Sequence, residues 1–164
     1  MSEEPTIVER PAVPCVAVRA TVTMRTIGTI AHRMGEVIGW LGAHGQAPAG
    51  PPFIRYHTID MAADLDIEVG VPTQGPLDGE GEIVAGELPA GRYVVATHRG
   101  APAGLVAAVG SVLDWANTRG LKFDSWQSER GEHWGCRAEF YNTDPAVEPN
   151  PDNWVTDLAF KLAD

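Results

Sequence analysis

Between Arg137 and Pro145 the chain reads R-A-E-F-Y-N-T-D-P, and two of these residues have side chains suited to chemistry on a small molecule. In an extended strand alternate side chains share a face, so Glu139 and Tyr141 point one way and Ala138 and Phe140 the other. One face thus sets a carboxylate beside a phenol. If that face is wet, Glu139 is merely solvated. In a cleft the carboxylate is expensive to leave unpaired, and it becomes an anchor for cationic or polar-aromatic molecules. Burial would also raise its pKa, letting Glu139 deprotonate a water or protonate a leaving group while Tyr141 donates a hydrogen bond to developing charge. The chain has no nucleophile elbow, zinc signature or second catalytic carboxylate in register. Binding and hydrolysis therefore both stay open, with no cofactor implied by either.

Flat walls for such a site would come from the five tryptophans. Trp40 and Trp115 end two equivalent helical segments and read as packing residues. Trp126 and Trp134 lie in a polar stretch before Glu139 and are the candidates for lining a groove, the competing reading being a loop anchored on the surface. Tyr56 joins the ligand-binding set because it repeats Tyr141, as described below; His57, next in the chain, faces away from it. His98, in T-H-R-G-A-P, is either a rim residue or a hydrogen bond tying strand to helix, and the second reading is preferred. Cys15 and Cys136 fit no metal or redox spacing and read as reduced, half-buried thiols. His133 with Cys136, beside Glu132, lacks the second ligand pair that a metal site needs.

The elements that must position these residues fit one domain of 164 residues, of which 44% are hydrophobic and 21% charged. Net charge is -10, which repels nucleic acid phosphates and argues against direct DNA binding. No apolar run is long enough to cross a bilayer, and the acidic start M-S-E-E-P does not resemble a signal peptide, so the expected place is the cytoplasm. Valine-rich alternation predicts strands at Thr6 to Arg10, Cys15 to Thr23, Phe53 to Ile59, Asp64 to Val71, Ile83 to Leu88, Arg92 to His98, Glu139 to Tyr141 and Trp154 to Leu162. The Phe53 and Asp64 strands should pair around Asp60 to Ala63. Helical spacing of Ile27, Ile30, Met34, Val37, Ile38 and Leu41 predicts a helix over Thr26 to His44, and that of Leu105, Val109, Val112, Leu113 and Ala116 a second over Ala101 to Arg119. Phe123 to Gly135 gives no clear signal. The acidic loop Pro72 to Gly86, with Asp78, Glu80 and Glu82, reads as a solvated connector, with a protein-docking surface as the less favoured alternative.

The order strand, helix, strand, strand occurs twice, over halves of about 13–72 and 88–162. Trp40-x-x-x-x-Gly45 recurs as Trp115-x-x-x-x-Gly120 at a spacing of 75, and Ile30, Met34, Val37 and Ile38 meet Leu105, Val109, Val112 and Leu113 at that spacing. Tyr56-His57-Thr58 answers Tyr141-Asn142-Thr143 at a spacing of 85. These matches predict an internal duplication. The expected fold is α+β, a pseudo-twofold pair of antiparallel curved sheets, each with one long helix, around a central groove. Two residues before the repeated tyrosine stands Ile54 in the first half and Glu139 in the second.

The G-R-Y-V-V-A-T-H-R-G run, the D-W-A-N-T-R-G helix end, R-A-E-F-Y-N-T-D-P and the closing W-V-T-D-L-A-F-K-L together resemble the gyrase-inhibitor-like (GyrI-like) small-molecule-binding domain. It is also the effector-binding domain of some AraC-type and MerR-type regulators. The resemblance runs from about Val13 to Leu162 and implies duplicated strand-helix-strand-strand (SHS2-type) halves. It also implies that the acid on the late strand, here Glu139, faces bound lipophilic cations with Tyr141 as neighbouring aromatic. About a dozen residues precede the match, so the chain is expected to be a stand-alone form without its own DNA-binding domain. Some stand-alone members open strained cyclopropane rings with water. The expected function is therefore sequestering or sensing of lipophilic, cationic or polyaromatic compounds, with hydrolysis through Glu139 and Tyr141 as the alternative; a regulator or gyrase as protein partner is left open.

Overall fold

A computed structural model of the chain describes residues 4–23, 25–60 and 64–163, apart from the side chains of residues 28, 30 and 31. The predicted turn at 61–63 and the Ile30 side chain lie outside these. The first half contains β1 (Thr6–Arg10), β2 (Val13–Val22), α1 (Ile30–Ala43), β3 (Phe53–Ile59) and β4 (Leu65–Pro72), followed by β5 (Val84–Leu88). The second contains β6 (Gly91–Arg99), α2 (Leu105–Thr118), β7 (Ser125–Ser128), β8 (Gly131–Trp134), β9 (Arg137–Tyr141) and β10 (Val155–Lys161). The predicted helices are shorter at their starts, where Ile27–Thr29 and Pro102–Gly104 form 3-10 turns.

Each helix is closed by the same device. Gly45 and Gly120 adopt φ of 70° and 69°, and the next residue donates back across the helix end, Gln46 N–H to the Leu41 carbonyl and Leu121 N–H to that of Ala116, at 3.0 Å each. Only glycine takes that backbone conformation without strain, and the bond satisfies a carbonyl that the helix itself leaves open.

Among the described residues all pairings between strands are antiparallel, and the fold is α+β with a curved, half-barrel sheet. The two sheets expected from the sequence are, among the described residues, one sheet of ten strands in the order β1-β6-β10-β9-β3-β4-β2-β5, with the β7–β8 hairpin joined to β3. The join is the short β3–β9 ladder, Phe53 to Phe140, Ile54 to Glu139 and Arg55 to Ala138. Such long-range pairing leaves no local trace in sequence.

Both helices lie on one face of this sheet. α1 covers β2 and β4, where Val37 and Leu41 pack with Val16, Val18 and Val71; α2 covers β6 and β10, where Ala108, Val112 and Ala116 pack with Val94, Leu158 and Phe160. Each fully buried aliphatic side chain contributes about 1.5–3 kcal/mol. Between the helices runs the strip made by β3 and β9. The other face holds a separate core of Cys15, Phe53, Tyr93, Cys136, Ala138 and Phe140.

Candidate functional site

On the helix side of that strip the strand pleat presents Ile54 and Tyr56 from β3 and Arg137, Glu139 and Tyr141 from β9. Glu139 is 8% exposed. Its Oε1 accepts a hydrogen bond from the Tyr141 hydroxyl at 2.7 Å and one from the Tyr56 hydroxyl at 3.2 Å. The two repeated tyrosines thus converge on one carboxyl oxygen from opposite sides of the seam. Tyr56 and Tyr141 pack against an apolar cluster that contains Ile54, Leu65 and Ile67, and Ile27 from the turn before α1 and Met34 from α1 pack against the same cluster.

Burial pushes the Glu139 carboxyl above its ordinary pKa, against the two phenol hydrogen bonds and Arg137, which favour the charged form. Burial likewise raises the pKa of Tyr56 and Tyr141, and the neighbouring carboxylate adds to it. Both phenols therefore stay protonated and act as donors. The arrangement is a carboxyl group removed from water, with two hydrogen-bond donors fixed on it.

Arg137 belongs to this site, although its spacing of two from Glu139 was the sole sequence signal for it. The guanidinium lies 5.0 Å from the Trp134 ring centroid, 4.8 Å from Phe160 and 5.9 Å from Tyr56. Its nearest carboxylate contact is Glu132, at 3.8 Å. Burial lowers its pKa, while Glu132, Glu139 and Tyr56 work in the opposite direction.

The other candidates are more scattered. Trp134 is buried in the α2 core against Phe123 and Phe160 and donates its indole N–H to Glu132 at 2.7 Å; it reaches the site through Arg137. Trp126 is 54% exposed and stacks flat on His133 at 5.5 Å. Both tryptophans line a cavity of about 650 Å³ at the end of the sheet, with Arg19, His57, Asp64 and Asp66, and Glu139 is not part of its wall. His98 is buried, with Nε2 3.1 Å from the Ala101 carbonyl, and a side chain at Gly104 would meet its ring at 2.8 Å. That hydrogen bond joins the end of β6 to the turn before α2. In register His98 stands opposite Thr156, which in turn faces Tyr141, so it lies on the site's side of the sheet two strands away.

His57 is on the opposite face, where its Nε2 lies 2.9 Å from Glu68 and Arg55 Nη1 lies 3.3 Å from the same oxygen. Burial raises the Glu68 pKa, but His57, Arg55 and Arg19 outweigh it and hold the carboxyl below its ordinary value. Cys15 and Cys136 are buried rather than half-buried, and burial pushes the Cys15 thiol up to about 12. His133 bonds Ser128 and Thr58 instead of approaching Cys136, and among the described residues no cluster of three His, Cys, Asp or Glu is arranged to hold a metal. Two acids of the connecting loop hold α1: Glu82 pairs with Arg33, and Glu80 accepts from the Trp40 indole at 3.3 Å.

Residues 3–163 match the GyrI-like small molecule binding domain. The chain belongs to that family. Among solved structures it is similar to the EcmrR C-terminal domain, with a TM-score of 0.75 and 17% identity over 98% of this chain and 97% of that one. It spans 57% of the EcmrR chain seen in an EcmrR–DNA complex. SAV2435 bound to tetraphenylphosphonium matches with a TM-score of 0.68 and 10% identity over 98% of this chain and 94% of that one. A hydrolase from Listeria innocua matches with a TM-score of 0.64 and 14% identity over 98% of this chain and 92% of that one. At these identities the likeness is one of fold. Among curated proteins there is no significant match.

Proposed function

We propose that this GyrI-like domain binds lipophilic, cationic or polyaromatic small molecules between its two helices, with Glu139 as the group that selects for positive charge. The observation that carries the reading is the Glu139 carboxyl, 8% exposed and held by two tyrosine hydroxyls on the inter-helix strip. A cation reaching it would exchange water for a carboxylate and aromatic faces, a combination worth on the order of 2 kcal/mol or more when desolvated. Ile27, in the turn before α1, and Met34, on α1, pack against the same apolar cluster as Tyr56 and Tyr141, so a ligand would enter by displacing the start of α1 and that turn. The tetraphenylphosphonium in SAV2435 is a molecule of this class on a similar fold. The repeated Tyr56 and Tyr141, together with a sheet order in which β6-β10-β9 mirrors β2-β4-β3, support an origin of the site in a duplicated half.

Tetraphenylphosphonium titrated into the protein by calorimetry tests the reading. Glu139→Gln should weaken it about tenfold or more with the melting transition still cooperative. Equal affinity of wild type and variant for tetraphenylphosphonium would remove Glu139 from the role.

The second reading is hydrolysis of a strained or reactive small molecule. It is favoured by the raised pKa of Glu139 beside two phenol donors, which suits a general acid or base. Incubation with a cyclopropane-bearing alkylator would give a product one water heavier with wild type and not with Glu139→Gln. Recovery of the intact compound from both excludes it for that substrate class.

A further inference from the structure

The sheet face away from the helices holds a cavity of its own. It measures about 210 Å³ and is lined by Val13, Leu88, Tyr93, Cys136 and Phe140, with Arg10 at one side. The floor is apolar and closed, since Cys136 and Ala138 are 1% and 0% exposed. Because Phe140 and Ala138 alternate with Glu139 along β9, this cavity and the Glu139 site are on opposite faces of one strand.

Of the residues that line it, Arg10 alone carries a charge. Its guanidinium lies 5.8 Å from the Tyr93 ring centroid and 5.6 Å from that of Phe140, so two aromatic faces hold it over the opening. Among the described residues no carboxylate forms an ion pair with it. The Tyr93 hydroxyl is already committed to the Pro89 carbonyl at 2.6 Å, and burial keeps the Cys136 thiol protonated. A cation is therefore held at the edge of an apolar hollow with no carboxylate partner among the described residues.

We propose that this cavity is a second binding site, for a small carboxylate with a body the size of one aromatic ring or a short acyl chain. The carboxylate would take the Arg10 fork, whose planar donors match it in a bidentate pair, and the apolar end would rest on Cys136 and Ala138. The volume is below the about 300–1,000 Å³ of sites for drug-sized ligands, which limits the body to that size. One guanidinium among apolar walls also supplies too little charge to desolvate a phosphate dianion.

The experiment uses benzoate and octanoate as probes, with benzamide as the neutral counterpart of benzoate, followed by amide chemical shifts of the full chain. At least one carboxylate should bind in the millimolar range or tighter, shift the amides of Arg10, Tyr93 and Cys136, and bind about tenfold more weakly to Arg10→Gln. Val13→Phe, which fills the opening and keeps the charge, should abolish the same shifts. Glu139→Gln should leave them in place, and Arg10→Gln should still bind tetraphenylphosphonium as wild type does, so this site and the Glu139 site fail independently. Absence of binding by both carboxylates up to about 10 mM, equal binding of benzamide and benzoate, or unchanged affinity in Arg10→Gln would overturn the proposal.

Discussion

Two phenols donate hydrogen bonds to the carboxyl group of Glu139 and the Arg137 charge favours its ionised form, but together they do not offset its burial. Its folded pKa lies above the ordinary carboxylate value, so the protonated form suits the folded chain better than the charged one. The sign follows from linkage: the unfolded chain releases this proton first, and stability falls as pH rises from the usual carboxylate range through the raised folded pKa. Glu139→Gln, which mimics the protonated acid, should therefore stabilise the ligand-free protein at pH 7.5, on the order of 1 kcal/mol or about 2–4 °C. The advantage should shrink toward zero near pH 4. Melting curves across that range check it, and a variant less stable than wild type at every pH would contradict the account. The phenols can be ranked as well. Tyr141 donates at 2.7 Å and Tyr56 at 3.2 Å, so Tyr141→Phe should raise the Glu139 pKa more than Tyr56→Phe, read from carboxyl carbon shifts against pH.

Most strands and both helices were legible because each buries one face, and the alternation of Val16, Val18, Ala20 and Val22 or the helical spacing of Val37 and Leu41 records it. The β7–β8 hairpin was not. Ser125–Ser128 is exposed along its length and carries no pattern; the hairpin exists because Glu132 and His133 pair with β3 and Trp134 enters the α2 core. Glu139, Tyr141 and Tyr56 could be picked out by strand period and repetition, whereas the placing of Trp126 and Trp134 depended on that unread hairpin. Close approach between strands gives a prediction at this scale. A Cβ at Gly70 would lie 2.7 Å from the Val16 carbonyl and 2.8 Å from Phe53 Cζ, with β2 backbone among the obstacles. Gly70→Ala should cost about 1–3 kcal/mol in urea unfolding, and a cost near zero would mean that β2 and β4 yield easily.

For the molecule as a whole, the charge of -10 and the buried acid would act on the proposed cationic ligand in different ways. Surface charge attracts over distances that salt screens, with a Debye length of about 10 Å at 0.1 M, while a partner buried beside the ligand is screened much less. Tetraphenylphosphonium affinity should fall only about two- to threefold between 50 and 500 mM salt, with the loss mainly in association rate. A steep fall would assign the binding to the acidic surface instead.

The seam between β3 and β9 also bears on the order of folding. Its partners, such as Ile54 and Glu139, are far apart in the chain, so closing that loop carries a large entropy cost, whereas β3 with β4 and β9 with β10 pair over shorter stretches. The seam should then close after the transition state, and Glu139 would meet its desolvation penalty only in the last, downhill part of folding. Glu139→Gln should accordingly slow unfolding at neutral pH and leave the refolding rate nearly unchanged, a low φ-value for the residue at the centre of the candidate site.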